Sequence, residues 1–205
     1  MKYIFMAGAP GSKWSSVSKN LYFSDSIDRS DASPEREYYH DAMGTMQLMH
    51  MGAYFDPGME FDLPADITML TKLELEKIFD SAFTGEGVRI IKSHIFADNI
   101  EYLKSVWPDC PIVLVHRDDD ACLGWWVKCG HFNITYPKYD KYYVDLKRMA
   151  FVIQRQNRGI MSAWEKYDGT NPANNETLAH DVGIELPPLE YFQDYKKANI
   201  GIKVI

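Results

Sequence analysis

The sequence predicts an α/β protein of three layers, with helices on both faces of a central parallel sheet. Three observations carry that prediction. Short apolar runs rich in β-branched and aromatic residues alternate with stretches of helical spacing, the pattern left by strand–helix–strand crossovers. The first run ends in a turn of glycine and proline that leads directly into a helix. No repeat, low-complexity tract or linker divides the chain, and 205 residues suffice for one domain with a substantial core.

Residues 2–6 (KYIFM) read as a buried first strand, and a helix follows over residues 14–22. Residues 24–64 are polar and irregular, rich in aspartate and proline, with a helical pattern over 35–51. A long irregular insertion in a compact domain serves as a lid or binding loop more often than as scaffold, and disorder is the competing account. Helical spacing returns over 67–83. Residues 88–92 (VRIIK) form the second strand, 96–106 a helix, and 111–116 (PIVLVH) the third strand. Residues 118–128 open with acidic side chains, which a helix N-terminus favours. Longer and shorter helical patterns cover 140–167 and 174–182.

Composition narrows the function. A net charge of −7 argues against general nucleic-acid binding, which needs a basic surface. It leaves room for one small anion held by a few local cations and backbone amides. The three cysteines, Cys110, Cys122 and Cys129, lack metal-site spacing and read as free thiols of a reducing compartment. With neither a signal peptide nor an apolar run of bilayer length, the expected location is cytoplasmic, without a membrane span. The aromatic run from Tyr136 to Tyr143 is of the kind that can line a ligand cleft.

Three short segments carry chemistry. The first is Gly8-Ala9-Pro10-Gly11-Ser12-Lys13-Trp14-Ser15-Ser16, a glycine turn between strand and helix, the architecture of a phosphate cradle. A triphosphate loop would place its second glycine at Lys13 and its lysine at Trp14, so the register departs from that of nucleotide-hydrolysing enzymes. The second is Lys92-Ser93-His94 at the end of a strand. Imidazole titrates near neutrality and suits proton abstraction, and a lysine stabilises charge developing on transferring oxygens. The carboxyl ends of parallel strands are where α/β folds bind ligands. The third is His116-Arg117-Asp118, again after a strand, where a guanidinium can grip a phosphate by paired hydrogen bonds. Bland accounts exist for each: a ligand-free turn, a structural histidine, and a salt bridge from Arg117 to Asp118, Asp119 or Asp120.

Taken in order over residues 2–130, these segments resemble the sulfotransferase family, whose topology is related to that of the P-loop NTPases. The resemblance implies that Gly8, Pro10, Gly11, Ser12, Lys13, Trp14, Ser15 and Ser16 hold the 5′-phosphosulfate of 3′-phosphoadenosine 5′-phosphosulfate. It implies that His94 is the general base, that Lys92 and Lys13 stabilise the transferring group, and that Arg117 binds the 3′-phosphate, with no metal. The acceptor would be a small molecule or glycan, seated under the 24–64 insertion and near Tyr136–Tyr143. Departures are plain. The basic residue expected after the loop proline is Gly11, with Lys13 as a displaced substitute. The expected proline after the Arg-Asp pair is Asp119, and Gly124-Trp125-Trp126 stands where a serine should fall. Lys196, Lys197 and Gly201 do not reproduce the family's C-terminal glycine-rich loop. A nucleotide or nucleoside kinase, and a non-catalytic nucleotide-binding protein of the same fold, are the alternatives.

Overall fold

The computed structural model describes residues 1–40, 46–129, 145–187 and 194–205. Strand β1 (Tyr3–Gly8) is buried along its whole length, as its uninterrupted apolar sequence requires. It lies between β4 (Arg89–Lys92) and β5 (Ile112–His116), parallel to both, with Phe5 opposite Ile91 and Ile112. A fourth strand, β6 (Gly201–Val204), pairs antiparallel with β5, giving the order β4-β1-β5-β6. The sheet is therefore mostly parallel, with an antiparallel edge that the sequence reading missed.

Period-two alternation sends successive residues of β1 to opposite faces. Tyr3, Phe5 and Ala7 meet the helices α2 (Lys72–Asp80), α3 (Ile100–Val106) and α5 (Leu146–Lys166) through Phe79, Leu103 and Ile160. Ile4 and Met6 meet α1 (Trp14–Leu21) and α6 (Asn175–Asp181) through Val17, Leu21 and Leu178. Phe5 is fully buried and packs edge-on against Phe96, with ring centroids 5.6 Å apart. Truncating such a core ring to alanine costs about 3–5 kcal/mol. A third cluster joins α4 (Asp119–Lys128) to α5 through Cys122, Trp126, Met149 and Ile153, and closes over Ala9 of the loop.

Helix starts follow side-chain chemistry. Thr71 and Glu74 form a reciprocal capping box on α2, and Asp145 accepts the Arg148 N–H at the start of α5. The pattern over 140–167 thus becomes a helix from Leu146, and residues 140–144 lie outside the described set. Three expected helices need correction, the first being 67–83, which is a 3₁₀ turn at Ile67–Met69 followed by α2 from its Thr71 cap. Residues 96–106 are a 3₁₀ turn, His94–Asp98, followed by α3, because Asn99 turns its amide back to the Ile95 carbonyl at 2.8 Å. The described residues of 35–51 do not form the expected helix, and 41–45 lie outside the described set. The described ones contain a 3₁₀ turn at Pro34–Arg36 and an antiparallel pair, β2 (Tyr38–His40) and β3 (Gln47–His50).

The described part of the 24–64 insertion is ordered by buried polar groups. Asp31 accepts from the Tyr22 hydroxyl at 3.0 Å and from the Ala53 N–H at 2.8 Å. Among the described residues no helix is long and apolar enough to cross a membrane.

Candidate functional site

The loop between β1 and α1 is built for close approach. Gly11 has φ +79°, and a Cβ there would stand 2.0 Å from the Cys122 carbonyl oxygen, so α4 backs the loop directly. A Cβ on Gly8 would stand 2.6 Å from Trp14 Cβ and 2.8 Å from Ser12 Oγ. The Ser12 N–H donates to the Ala9 carbonyl at 3.1 Å, which folds Ala9–Ser12 into a turn. Lys13, at φ 66°, is the N-cap of α1, and its side chain does not cap the helix. Among the described residues no side chain caps the first amides of α1, and the dipole of a helix N-terminus attracts anions. The Ser12 hydroxyl is fully buried and has no hydrogen-bond partner among the described residues.

His94, 1% exposed, lies against this loop. Its Nδ1 is 2.8 Å from the Gly8 carbonyl oxygen, and its ring centroid is 4.6 Å from that of Trp14. Asp56, from the insertion, accepts the His94 N–H at 2.7 Å and the Ser93 hydroxyl at 2.6 Å through one oxygen. Burial lowers the imidazole pKa, against the opposing pull of Asp56 and the Gly8 hydrogen bond. The ring is thereby held neutral near pH 7.

Arg117 reaches the loop from the end of β5, donating from Nη1 to the Gly11 carbonyl at 3.3 Å. Its Nε is buried and has no partner among the described residues. Asn157 Nδ2 donates to the Arg117 carbonyl at 2.8 Å and fixes the backbone behind it. The guanidinium lies 5.9 Å from the Trp125 ring, and Lys13 Nζ lies 4.6 Å from the same ring. No salt bridge to Lys13 or Arg117 occurs among the described residues. The salt bridge expected from Arg117 to Asp118, Asp119 or Asp120 is therefore not formed there. Burial, with the repulsion of Arg117 and Lys128, lowers the Lys13 pKa.

Lys92 is placed differently from the other predicted site residues. Alternation along β4 directs its side chain to the α1 face, where it is fully buried. Its Nζ donates to the Met51 carbonyl and lies 4.6 Å from the Tyr22 ring and 5.7 Å from the Tyr54 ring. Burial depresses its pKa to about 7, with Asp31 opposing the shift. These contacts fasten the insertion to the sheet and include no residue of the Gly8–Ser16 loop.

A cleft of about 350 Å³ opens beside Arg117 at the ends of β5 and β6, lined also by Trp164, Tyr195, Lys196, Asn199 and Gly201. Lys196 and Gly201, unconvincing in the sequence as a ligand loop, thus share a cleft with Arg117. Sequence reasoning missed Asp56 and Tyr54, which lie against His94, His50, which stacks on Tyr54, and Trp125, which lies beside the cations. The Trp125-Trp126 pair was visible, and a Tyr-Phe-Asp-Pro-Gly turn signal marked Asp56. The Tyr136–Tyr143 run lies outside the described residues.

Among the described residues no three His, Cys, Asp or Glu side chains converge to hold a metal. Comparison with family models, with curated proteins and with solved structures finds no match to this chain.

Proposed function

We propose that this chain is a sulfotransferase of P-loop-like topology that moves a sulfuryl group from 3′-phosphoadenosine 5′-phosphosulfate to an acceptor hydroxyl. One observation carries the reading. His94 and Arg117, far apart in sequence, both bond to backbone carbonyls of one glycine loop, at Gly8 and Gly11. A base and a phosphate-gripping cation are thus fixed relative to one anion cradle.

The fit of the donor rests on groups that lack partners among the described residues. The Ser12 hydroxyl and Arg117 Nε are buried donors without acceptors there, and the helix α1 amides are uncapped. A phosphate supplies the acceptors these groups lack, and burying them without one is costly. Gly8, Pro10, Gly11, Ser12, Lys13, Trp14, Ser15 and Ser16 are assigned to the 5′-phosphosulfate. Arg117 and the neighbouring cleft with Lys196 are assigned to the 3′-phosphate side of the nucleoside.

His94 is assigned as general base. The Gly8 carbonyl can only accept, so Nδ1 carries the proton and Nε2 carries the basic lone pair. In the transfer, the acceptor oxygen forms a bond to sulfur as the bond from sulfur to the bridging phosphate oxygen breaks. The acceptor proton passes to Nε2, and the bisphosphate leaves with the electron pair. Lys13 is the lysine assigned to the developing charge. Lys92, expected from its sequence position to share that task, is assigned a structural role beneath the insertion instead.

The test is calorimetric titration with 3′-phosphoadenosine 5′-phosphate, beside ATP with magnesium. Binding of the bisphosphate, lost in Arg117→Ala, is the expected result. Binding of ATP alone would overturn the reading in favour of a kinase.

A further inference from the structure

Three cations surround one indole at the mouth of the loop. Lys13 Nζ lies 4.6 Å, Lys128 Nζ 5.8 Å and the Arg117 guanidinium 5.9 Å from the Trp125 ring. They come from three elements: the loop, the end of α4 and the end of β5. The chain as a whole carries a net charge of −7, so this convergence is not a sample of a generally basic surface. Like charges brought this close repel one another, and Lys13 shows it in a pKa lowered by burial and by Arg117 and Lys128. Among the described residues no salt bridge to Lys13 or Arg117 offsets the repulsion within that pair.

We propose that Trp125 is a specificity-determining residue, whose indole face holds Lys13, Arg117 and Lys128 converged so that the site selects multiply charged oxyanions over singly charged ones. The proposal rests on the reading of the Gly8–Ser16 loop as an anion cradle. The π-face of tryptophan is the most favourable aromatic surface for cations, and it is strongest where water is partly excluded. Trp125 is half-buried on α4, at a helix turn where its backbone is fixed. The indole therefore acts as a rigid floor that offsets part of the repulsion before ligand arrives. Side-chain ordering is then complete in the free protein, which lowers the cost of binding. A monoanion neutralises one cation and leaves the others repelling. A pyrophosphate-like group neutralises the cluster, so selectivity rises with ligand charge. The position matters because Gly124-Trp125-Trp126 occupies the stretch where a serine was expected in the sequence. The structure supplies an aromatic platform there instead.

The experiment uses the full chain and inorganic probes, so that no nucleotide is required. Pyrophosphate, phosphate and nitrate are titrated calorimetrically into the wild type, Trp125→Phe, Trp125→Leu and Arg117→Ala. Thermal unfolding of each variant confirms that it is folded. In Trp125→Leu, pyrophosphate affinity is expected to fall about tenfold and its margin over phosphate to shrink, while Trp125→Phe restores most of both. If Trp125→Leu binds pyrophosphate as tightly and as selectively as the wild type, while Arg117→Ala does not bind it, the cradle stands and the role of Trp125 is overturned. If the wild type itself binds none of the probes, the cradle reading fails and this inference falls with it.

Discussion

His94 Nδ1 sits 2.8 Å from the carbonyl oxygen of Gly8, so the imidazole is bonded to the backbone of the glycine loop. The bond sets the tautomer and leaves Nε2 as the basic nitrogen. Burial lowers the pKa further from neutrality, and the neutral ring is the form a general base needs. The rate of sulfuryl transfer is accordingly expected to rise with pH through a group titrating below 6.5 and to be flat above it. His94→Ala is expected to lower turnover by about 10²–10⁴-fold while leaving bisphosphate affinity within about threefold. Turnover unchanged in His94→Ala would remove His94 from the reaction.

Arg117 is tied at one end and open at the other. Nη1 holds the Gly11 carbonyl, the chain behind it is fixed by Asn157, and Nε has no partner among the described residues. A lysine can supply the charge but not the planar fork of the guanidinium, which lies 5.9 Å from the Trp125 ring. Arg117→Lys is therefore expected to weaken 3′-phosphoadenosine 5′-phosphate by about 10–100-fold, the effect of one or two charge-assisted hydrogen bonds. Adenosine 5′-phosphosulfate, which lacks the 3′-phosphate, should lose much less. Equal losses for both ligands would place Arg117 elsewhere on the donor.

Several of these arrangements are legible in the sequence alone, and the reasons for the rest are physical. Strands β1 and β5 announce themselves as apolar runs buried on both faces, and β4 through the β-branched pair Ile90-Ile91 between Arg89 and Lys92. Strand β6 does not, because it opens on Gly201 and its apolar run is broken by Lys203, whose Nζ donates to the Trp164 carbonyl. The loop, His94 and Arg117 stand out as candidates because each follows a legible strand, and the structure brings them together. Lys92 could not be placed from its position alone, since its Nζ turns to the Met51 carbonyl and the Tyr22 and Tyr54 rings and not to the loop. Its partners, Asp31, Met51 and Tyr54, belong to an irregular segment with no period to read. Trp125 was visible as a residue but not as a platform, because the cations around it come from distant parts of the chain.

Gly11 and Gly58 share nearly the same positive φ, 79° and 77°, but differ in their surroundings. An added Cβ at Gly58 meets nothing within 4 Å, whereas at Gly11 it stands 2.0 Å from the Cys122 carbonyl. Gly58→Ala should therefore show the conformational cost alone, about 1 kcal/mol. Gly11→Ala adds a backbone collision with α4 and is expected to cost about 2–4 kcal/mol and to abolish pyrophosphate binding. Urea unfolding and calorimetry on the two variants measure the difference. Equal losses of stability would mean that α4 does not back the loop.

Lys92 gives a pH signature that separates its structural role from a catalytic one. Its pKa in the folded chain, about 7, lies below the ordinary 10.5 because burial disfavours the ammonium. Between these values the unfolded chain binds a proton that the folded chain does not, so the contribution of Lys92 to stability rises with pH across that window. Below it the full cost of the buried charge is present, and above it lysine is neutral in both states. Asp31, whose pKa is raised mainly by burial, acts in the opposite sense and in the acid range, where stability falls as pH rises through its titration. In urea unfolding at pH 6.5, 8 and 9.5, the wild type should gain stability relative to Lys92→Met as pH rises, because groups that do not interact with Lys92 cancel in the difference. Combining Lys92→Met with Asp31→Asn should cost less than the sum of the single changes by about 1–2 kcal/mol, since each single change leaves the other buried group uncompensated. Parallel pH profiles for wild type and Lys92→Met would show that Lys92 keeps one protonation state throughout, and would return it to consideration as a permanently charged group.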